Sequence, residues 1–320
     1  MPISHRLLAV SVAVMWGLNF IAIHASLGQF PPFLLAALRF AIIAVPTILL
    51  VPRPRVPVRW LLGYGIGFGT LQFLFLYWGM AVGMPTGLAS LVLQSSAPFT
   101  VLLGAAVFRD RVSARQVVGL SVATLGLAVV GWSQAQAAAF GPFLLVLAGG
   151  FGWAIGNVSS ARAKAPNPLH LTLWMSVVPP VPMLALSLVI EGPDAIARSF
   201  VPGPHLVPAL LGLAYTVLIG TVAGSGVWTW LMARHPAGVV APFSMLVPVV
   251  GLSASAMLLG EEIGVGTAVG AALVIVGVLW GARRRAARPT GLPAPELAGG
   301  EAARPKTVSP EPASPEPARL

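Results

Sequence analysis

The chain has 320 residues, of which 57% are hydrophobic and 9% are charged, and its mean hydropathy is +0.87. Soluble globular proteins usually carry about 25% charged residues, so this composition excludes a soluble globule and indicates a membrane protein. The net charge of +10 does not indicate nucleic-acid binding, because the basic residues form short clusters between apolar runs, as they do in the cytosolic loops of membrane proteins.

Ten apolar runs follow one another along the chain, each long enough for a membrane-spanning helix. The first extends from Leu7 to about Ala25, which is longer than the apolar region of a cleavable secretory signal. The others cover about 33 to 51, 61 to 82, 87 to 108, 115 to 132, 140 to 160, 170 to 190, 206 to 232, 237 to 259 and 264 to 282. Because a backbone in lipid must satisfy its own hydrogen bonds, these runs predict an all-α membrane protein with ten transmembrane helices.

The basic residues between the runs predict the orientation in the membrane. Fourteen Lys and Arg residues fall in alternate connections on one side, and Arg198 alone falls on the other. The fourteen are Arg6, Arg53, Arg55, Arg59, Arg109, Arg111, Arg115, Arg162, Lys164, Arg234, Arg283, Arg284, Arg285 and Arg288. Because Lys and Arg accumulate in cytosolic loops, we expect both termini in the cytosol.

An internal duplication organises the chain, since the stretch from Met84 to Gly131 returns in recognisable form from His235 to Ala282. A shift of 151 positions aligns Pro85 with Pro236, Gly87 with Gly238, Gly119 with Gly270, Gly126 with Gly277, Tyr64 with Tyr215 and Thr70 with Thr221. Each copy contains a short cluster of charged residues, Arg109-Asp110-Arg111 or Gly260-Glu261-Glu262. Five spans per copy is an odd number, so the second copy must be inverted, as in many transporters.

These features divide the chain into a first five-helix repeat (1–132), a second, inverted repeat (133–283) and a tail (284–320) rich in Pro, Ala, Glu, Arg and Ser. We expect the tail to be a disordered cytosolic extension. The sequence has no Cys, which excludes disulfides and thiolate metal sites, and its five His residues lack ligand spacing. We therefore expect no metal and no cofactor.

Four motifs carry a resemblance to a known family. They are Trp16-Gly17-Leu18-Asn19-Phe20, Pro31-Pro32 before Leu38-Arg39-Phe40, the stretch from Gly83 to Gln94, and the stretch from Ala241 to Leu252. Over about residues 6 to 283 the chain resembles the EamA family of the drug/metabolite transporter superfamily. Within the family it is most similar to bacterial inner-membrane exporters of O-acetylserine and cysteine, and the stretch from Gly83 to Gln94 is the most specific part.

The resemblance implies ten transmembrane helices in two inverted halves and the export of small metabolites by alternating access. It leaves the substrate open, because the superfamily also carries sugars, nucleotide sugars and cationic drugs. A non-transporting polytopic partner protein is a further alternative, although it would not need an inverted repeat. An enzyme is not expected, because the predicted spans contain no Asp, Glu or Cys. The expected partners are a small-molecule substrate and the lipid bilayer, with no nucleic acid, and the expected assembly is a monomer or homodimer.

A few polar side chains inside the apolar runs are candidates for substrate binding: Arg39, Asn19, Gln94, Gln72 and Asn157. Arg39 is the most informative, since a charge inside a membrane usually marks a functional site. Its alternative roles are snorkelling to the interface or pairing with Glu261 or Glu262. For the four amides the alternative is hydrogen bonding between helices.

Prolines and titratable groups supply the remaining candidates. Pro98 in the fourth run, with Pro242 and Pro248 in the ninth, predicts matched helix breaks near a binding site, with a plain kink as the alternative. Because the spans lack a carboxylate, proton coupling would have to use His24, a loop acid such as Glu261, or the substrate itself. For His24 the alternative is an ordinary interfacial histidine.

Overall fold

The computed structural model of the chain describes residues 1–109, 112–136, 140–235 and 237–282, and this part is helical without strands. It contains ten long helices and two short ones, Pro193–Arg198 after the seventh and Ala237–Val240 directly before the ninth. The long helices are α1 (Ile3–Leu27), α2 (Pro32–Leu50), α3 (Val58–Ala81), α4 (Thr86–Phe108), α5 (Ala114–Gln136), α6 (Phe140–Ala163), α7 (Pro168–Glu191), α8 (Leu206–Arg234), α9 (Ala241–Leu259) and α10 (Val265–Ala282). The apolar runs therefore predict the helices to within a few residues at most ends.

Within the described residues, α1 to α9 are nine helices long and apolar enough to cross a membrane. The last predicted run forms α10, whose apolar stretch, Val265–Gly281, is shorter. The tenth crossing and the cytosolic termini therefore stay predictions. The predicted tail (284–320) lies outside the described residues, as do Asp110 and Arg111 of the first charged cluster.

The helices are irregular at matching places in the two halves. In α3 a π-helical segment covers Gly65–Leu71, and in α8 a π-helical segment covers Tyr215–Ala223. In α4 a 3-10 turn covers Leu93–Ser95, and a 3-10 turn at Ala241–Met245 opens α9. A shift of 151 positions makes both pairs of segments overlap. The repeat detected in the sequence is therefore also a repeat of local backbone irregularities, which in proteins often mark functional sites.

Proline accounts for the interruption of α7. Its first part ends at Met175, and the helix resumes at Pro180 after a break over Ser176–Pro179. Consecutive prolines have no backbone donors at this point, so the hydrogen-bond ladder cannot continue. The proline cluster therefore interrupts the helix.

Two carboxylates bind helix N-termini at one end of the bundle, termed the acidic end. Glu191 accepts hydrogen bonds from the backbone N–H groups of Phe33 (2.6 Å) and Leu34 (3.1 Å) at the start of α2. Glu261 accepts them from Thr86 (2.6 Å) and Gly87 (2.9 Å) at the start of α4. These carboxylates satisfy free amide groups and complement the positive end of each helix dipole.

The opposite, basic end has complementary contacts at the C-termini of the same two helices. Arg162 donates to the carbonyl of Val107 near the end of α4, and the indole Nε1 of Trp174 donates to the carbonyl of Val51 (3.0 Å) after α2. Because Glu261 follows α9 and binds the start of α4, these equivalent helices are antiparallel. The two halves are therefore inverted relative to each other.

Four repeated glycines form the contact between α5 and α10. A Cβ atom added to Gly119 would lie 2.5 Å from the carbonyl oxygen of Gly277, and one added to Gly126 would lie 2.7 Å from that of Gly270. A Cβ atom added to Gly277 would lie 2.6 Å from the carbonyl oxygen of Gly119, and one added to Gly270 would lie 2.8 Å from that of Gly126. Exchanging the two halves converts the first pair into the second. The contact therefore has the symmetry of the duplication, and only glycine permits this approach.

Candidate functional site

Arg39 lies inside the bundle on α2, with 5% of its surface exposed. Its Nη1 donates to the hydroxyl of Tyr77 on α3 (2.8 Å), and its Nη2 donates to Oγ1 of Thr221 on α8 (2.9 Å). The guanidinium lies 3.9 Å from the ring centroid of Phe73, within the range of a cation–π contact. These contacts fix the guanidinium between the first and second halves of the chain.

The charge of Arg39 has no acidic partner among the described residues, since its two hydrogen-bond acceptors are neutral hydroxyls. Its Nε is buried without a hydrogen-bond partner. The alternative pairing of Arg39 with Glu261 or Glu262 is not the arrangement found. Glu261 lies past the end of α9 and binds the α4 N-terminus, whereas Arg39 lies about 10 Å along α2 from the acidic end. A desolvated cation with neutral partners is suited to an anionic ligand.

Asn19 approaches the same region from α1. A Cβ atom added to Gly220 would lie 2.6 Å from Oδ1 of Asn19, so this amide packs directly over the π-helical segment of α8. Gly220 immediately precedes Thr221, the partner of Arg39. Oδ1 of Asn19 is buried without a hydrogen-bond partner, while Trp16 on α1 donates its Nε1 to the Gly220 carbonyl (2.9 Å). The structure therefore places Asn19 beside the Arg39 contact.

Gln94 lies at the interface between the two halves of the chain. It is 5% exposed, and its Nε2 lies 3.7 Å from the sulfur of Met245, the residue to which the 151-position shift aligns it. Two equivalent residues that touch each other must lie near the pseudo-twofold axis of the duplication. The hydrogen bonds of Gln94 and Arg39 lead to different partners, so the structure does not join these two candidates directly.

Gln72 and Asn157 contribute to the packing of α6 against its neighbours. Gln72 is buried, and its backbone approaches Gly149 and Gly152 of α6 so closely that added Cβ atoms would lie 3.0 Å and 2.8 Å away. Asn157 donates to Oγ1 of Thr100 on α4 (3.1 Å), which is the helix-to-helix bond considered as its alternative role. Oε1 of Gln72 is buried without a hydrogen-bond partner.

The predicted helix breaks occur at matching places. Pro98 and Pro248 are both buried, and each lies a few residues after the 3-10 segment of its helix, while Pro242 lies inside the segment that opens α9. A proline cannot donate to the carbonyl four residues earlier, and the carbonyls of Gln94 and Ser244 accept instead from the backbone N–H groups of Ser96 and Leu246. The prolines therefore interrupt the α-helical hydrogen-bond pattern close to the contact between Gln94 and Met245.

His24 and Glu261, the two candidates for proton coupling, meet at Thr86. Nδ1 of His24 lies 3.2 Å from Oγ1 of Thr86, whose backbone N–H is bound by Glu261 at 2.6 Å. His24 is exposed, and Thr86 is 1% exposed. The sequence did not indicate this convergence, because the three residues belong to three separate segments.

Tyr77, Thr221 and Phe73 surround Arg39 and were not among the sequence-based candidates. Thr221 carried a signal, because it aligns with Thr70 in the repeat and both lie in π-helical segments. Tyr77 carried none, since a tyrosine in an apolar helix is an ordinary core residue. Only the tertiary packing of α2, α3 and α8 identifies it.

Comparison with known proteins identifies relatives of this bundle. The sequence profile described as the EamA-like transporter family matches residues 4–132 and 141–281. The chain is 41% identical over 294 residues to a probable amino-acid metabolite efflux pump of Salmonella typhimurium, covering 89% of this chain and 98% of that protein. It is 39% identical over 277 residues to the protein of the same description in Escherichia coli, covering 85% and 92%.

Two more distant proteins are also similar to this chain. The chain is 29% identical to a probable terminal-alkyne amino-acid exporter of Streptantibioticus cattleyicolor, covering 79% of this chain and 84% of that protein. A crystal structure at 20% identity superposes with a TM-score of 0.58 over 89% of this chain and 100% of the other, which shows a common fold. With both halves matched by the profile and with these efflux pumps as relatives, the chain is a multi-pass membrane transporter that belongs to the EamA-like transporter family.

Proposed function

We propose that the protein exports small amino-acid-type metabolites such as O-acetylserine and cysteine by alternating access, and that it is not an enzyme. The observation that carries this proposal is Arg39, a buried guanidinium with neutral partners and an unpaired Nε. The relatives, two probable amino-acid metabolite efflux pumps and a probable terminal-alkyne amino-acid exporter, support the same substrate class.

The chemistry of Arg39 matches one group of such a substrate. A guanidinium binds a carboxylate through two parallel, charge-assisted hydrogen bonds, which are stronger than bonds to neutral acceptors. Asn19 on α1 packs its buried, unpartnered Oδ1 against the α8 segment that contacts Arg39. This oxygen is an acceptor for the substrate's ammonium group. Gln72 offers a second free acceptor, and Gln94 and Asn157 are secondary candidates. Arg39 and Asn19 together would bind the zwitterionic backbone of an amino acid.

The proposed location is a bacterial inner membrane, with ten crossings and with the basic end and both termini in the cytosol. The tenth crossing is α10, because its 18 residues extend about 27 Å, close to the thickness of a hydrocarbon core. The positive-inside rule supports the orientation, since Arg55 in a loop and Arg162 and Arg234 in the last turns of their helices fall at the basic end.

The contacts at the acidic end suggest how transport is coupled. His24 and Glu261 both bind Thr86, at the N-terminus of α4, so a change in the charge of either group alters how this helix is held. An imidazole gains a positive charge when it binds a proton, whereas a carboxylate loses its negative charge. We propose that protonation at this cluster from outside assists the opening of the external face.

Export from cells tests the function. Bacteria that overproduce the protein should release more O-acetylserine and cysteine into the medium than bacteria that produce an Arg39→Ala variant at the same membrane level. Arg198→Ala is the matched control, because this exposed arginine lies at the acidic end away from the site. Equal release by the wild-type and Arg39→Ala proteins would contradict the proposed role of the site.

A further inference from the structure

Arg39 joins the two halves of the transporter through Thr221. Arg39 and Tyr77 belong to the first half, while Thr221 lies in the π-helical segment of α8 in the second. The bond from Nη2 to Thr221 is therefore a direct polar contact between the parts that must move in alternating access. A ligand that breaks this bond changes the relative stability of the two arrangements.

The backbone of α8 orients the Thr221 hydroxyl as an acceptor. Its Oγ1 donates its proton to the carbonyl of Thr216, five residues earlier, at 2.8 Å. With that proton engaged, only lone pairs remain to face the Arg39 guanidinium. The π-helical segment thus presents a neutral acceptor to a buried cation.

The edge of the guanidinium formed by Nε and Nη2 is almost free. Nε has no partner, and Nη2 is held by Thr221 alone among the described residues, whereas Nη1 is held by Tyr77. A carboxylate binds two N–H groups on one edge of a guanidinium. By displacing one neutral hydroxyl, it would gain a complete two-bond site on the Nε–Nη2 edge and leave the Tyr77 bond intact.

We infer that the substrate carboxylate replaces Thr221 on Arg39, so that binding breaks the bond between the halves. This inference rests on the proposed function and specifies how the same site works. Thr221 then competes with substrate, because it stabilises the empty transporter only. Tyr77 is a positioning residue, because it holds Arg39 in both states.

The two hydroxyls on one guanidinium should therefore have opposite effects on affinity. Thr221→Val removes the competing acceptor and should lower the Kd for O-acetyl-L-serine about fivefold, since a hydrogen bond to a charged group contributes appreciably to stability. Tyr77→Phe should raise the Kd, because the guanidinium loses the contact that orients it. Thr70→Val is the matched control, since Thr70 makes the equivalent bond to Gly65 (3.3 Å) but is not bonded to Arg39.

The test is the binding of radiolabelled O-acetyl-L-serine to the full-length protein in lipid nanodiscs, with the methyl ester of the same compound as competitor. The ester lacks the carboxylate, so its affinity should not improve in Thr221→Val. Thr221→Ala provides a second variant without the acceptor if the valine variant does not fold. A Kd that rises or stays unchanged in the acceptor-free variants, or that falls equally in Thr70→Val, would overturn the inference and leave the proposed function standing. No saturable binding to the wild-type protein would overturn the proposed function and this inference with it.

Discussion

Arg39 carries its charge about 10 Å along α2, measured from Pro32, and the residues around it are aromatic or neutral. Burial removes the water that would screen a cation, so each neighbour matters more than it would at the surface. Phe73 supports the flat face of the guanidinium, and Tyr77 fixes one of its ends. This geometry selects arginine over lysine, whose ammonium is a point charge without a planar fork.

Arg39→Lys should impair export about tenfold or more while leaving the protein in the membrane. Lysine retains the charge but loses the planar fork that would bind both carboxylate oxygens. Export of labelled O-acetylserine, corrected for the amount of protein in the membrane, measures the effect. Loss of folded protein in both Arg39→Lys and Arg39→Ala would instead assign Arg39 a structural role.

His24→Gln should change the pH dependence of export more than its maximal rate. Glutamine keeps a polar contact with Thr86 but cannot take up a proton in the range where imidazole does. Transport by membrane vesicles under an imposed pH gradient measures the profile, with His205→Gln as the control because His205 is exposed at the same end. A profile identical to that of the wild-type protein would exclude His24 from coupling.

The sequence identified Arg39 because a charge in an apolar run is visible without any structure. It gave no signal for Tyr77 and only the repeat alignment for Thr221, because their contacts with Arg39 depend on packing between α2, α3 and α8. Hydroxyl residues are common in membrane helices and bond their own backbone, as Thr70 does. The amides illustrate the same limit, since Asn157 and Asn19 look alike in the sequence but lie in different environments.

At the scale of the helices, α4 is held at both ends by charged groups from other segments. Glu261 binds its N-terminus, and Arg162 binds its last turn while lying 4.4 Å from the ring of Phe108. Both charges complement the helix dipole. From Thr86 to Ser96 the helix is buried throughout, whereas much of the part that follows is partly exposed. The acidic end of α4 is therefore the closed end in this structure.

Glu261→Gln should loosen the acidic end of α4, because the amide replaces one of the two accepting oxygens with an NH2 donor and removes the negative charge. The chain has no native Cys, so a single Ser90→Cys substitution can report on this closure. Ser90 is 1% exposed and packs against Gly251 of α9, where there is no room for a Cβ atom. We expect an impermeant maleimide added outside to label it about fivefold faster in Glu261→Gln, given the usual free energy of a capping contact.

Glu262→Gln is the control for this labelling experiment. It removes the same charge from the neighbouring position, but Glu262 is exposed and does not bind the α4 N-terminus. Labelling should therefore stay at the wild-type rate. Equal rates in the Glu261 and Glu262 variants would show that the capping contact does not hold the external face closed.

Element boundaries followed from the apolar runs, but the irregular segments did not. The prolines of α4 and α9 predicted breaks, and the structure has 3-10 segments beside them. The π-helical segments of α3 and α8 had no comparable signal, since glycine-rich stretches occur in many regular membrane helices. These segments depend on contacts with α6 and α1, which the sequence of one helix does not contain.

At the scale of the whole molecule, the duplication determines the architecture. The aligned glycines first seen in the sequence, Gly119 with Gly270 and Gly126 with Gly277, form the α5–α10 contact by pairing across the halves. Alignment alone showed that these positions are equivalent but not that they touch. The charge on Arg39 has no equivalent in the second half, because α7, the counterpart of α2, has no Lys or Arg between Pro168 and Glu191. A symmetric scaffold with one asymmetric charge can bind an anionic group at a single place.

Reporter fusions test the proposed orientation of the bundle. A reporter active only outside the cytosol should work when fused near Gln134 or Gly192 and should be silent near Arg55 or Arg162. The expectation follows from the excess of basic residues at one end and from the odd number of spans in each half. Activity at Arg162 would contradict the inverted arrangement of the halves in the membrane.

The most direct test of the central claim is transport by the purified protein in liposomes loaded with unlabelled O-acetyl-L-serine. If Arg39 binds the substrate carboxylate during export, labelled O-acetyl-L-serine and cysteine should enter by exchange, the methyl ester should not, and Arg39→Ala should abolish the exchange. Exchange no faster than in protein-free liposomes, or equal transport of the acid and its ester, would contradict it.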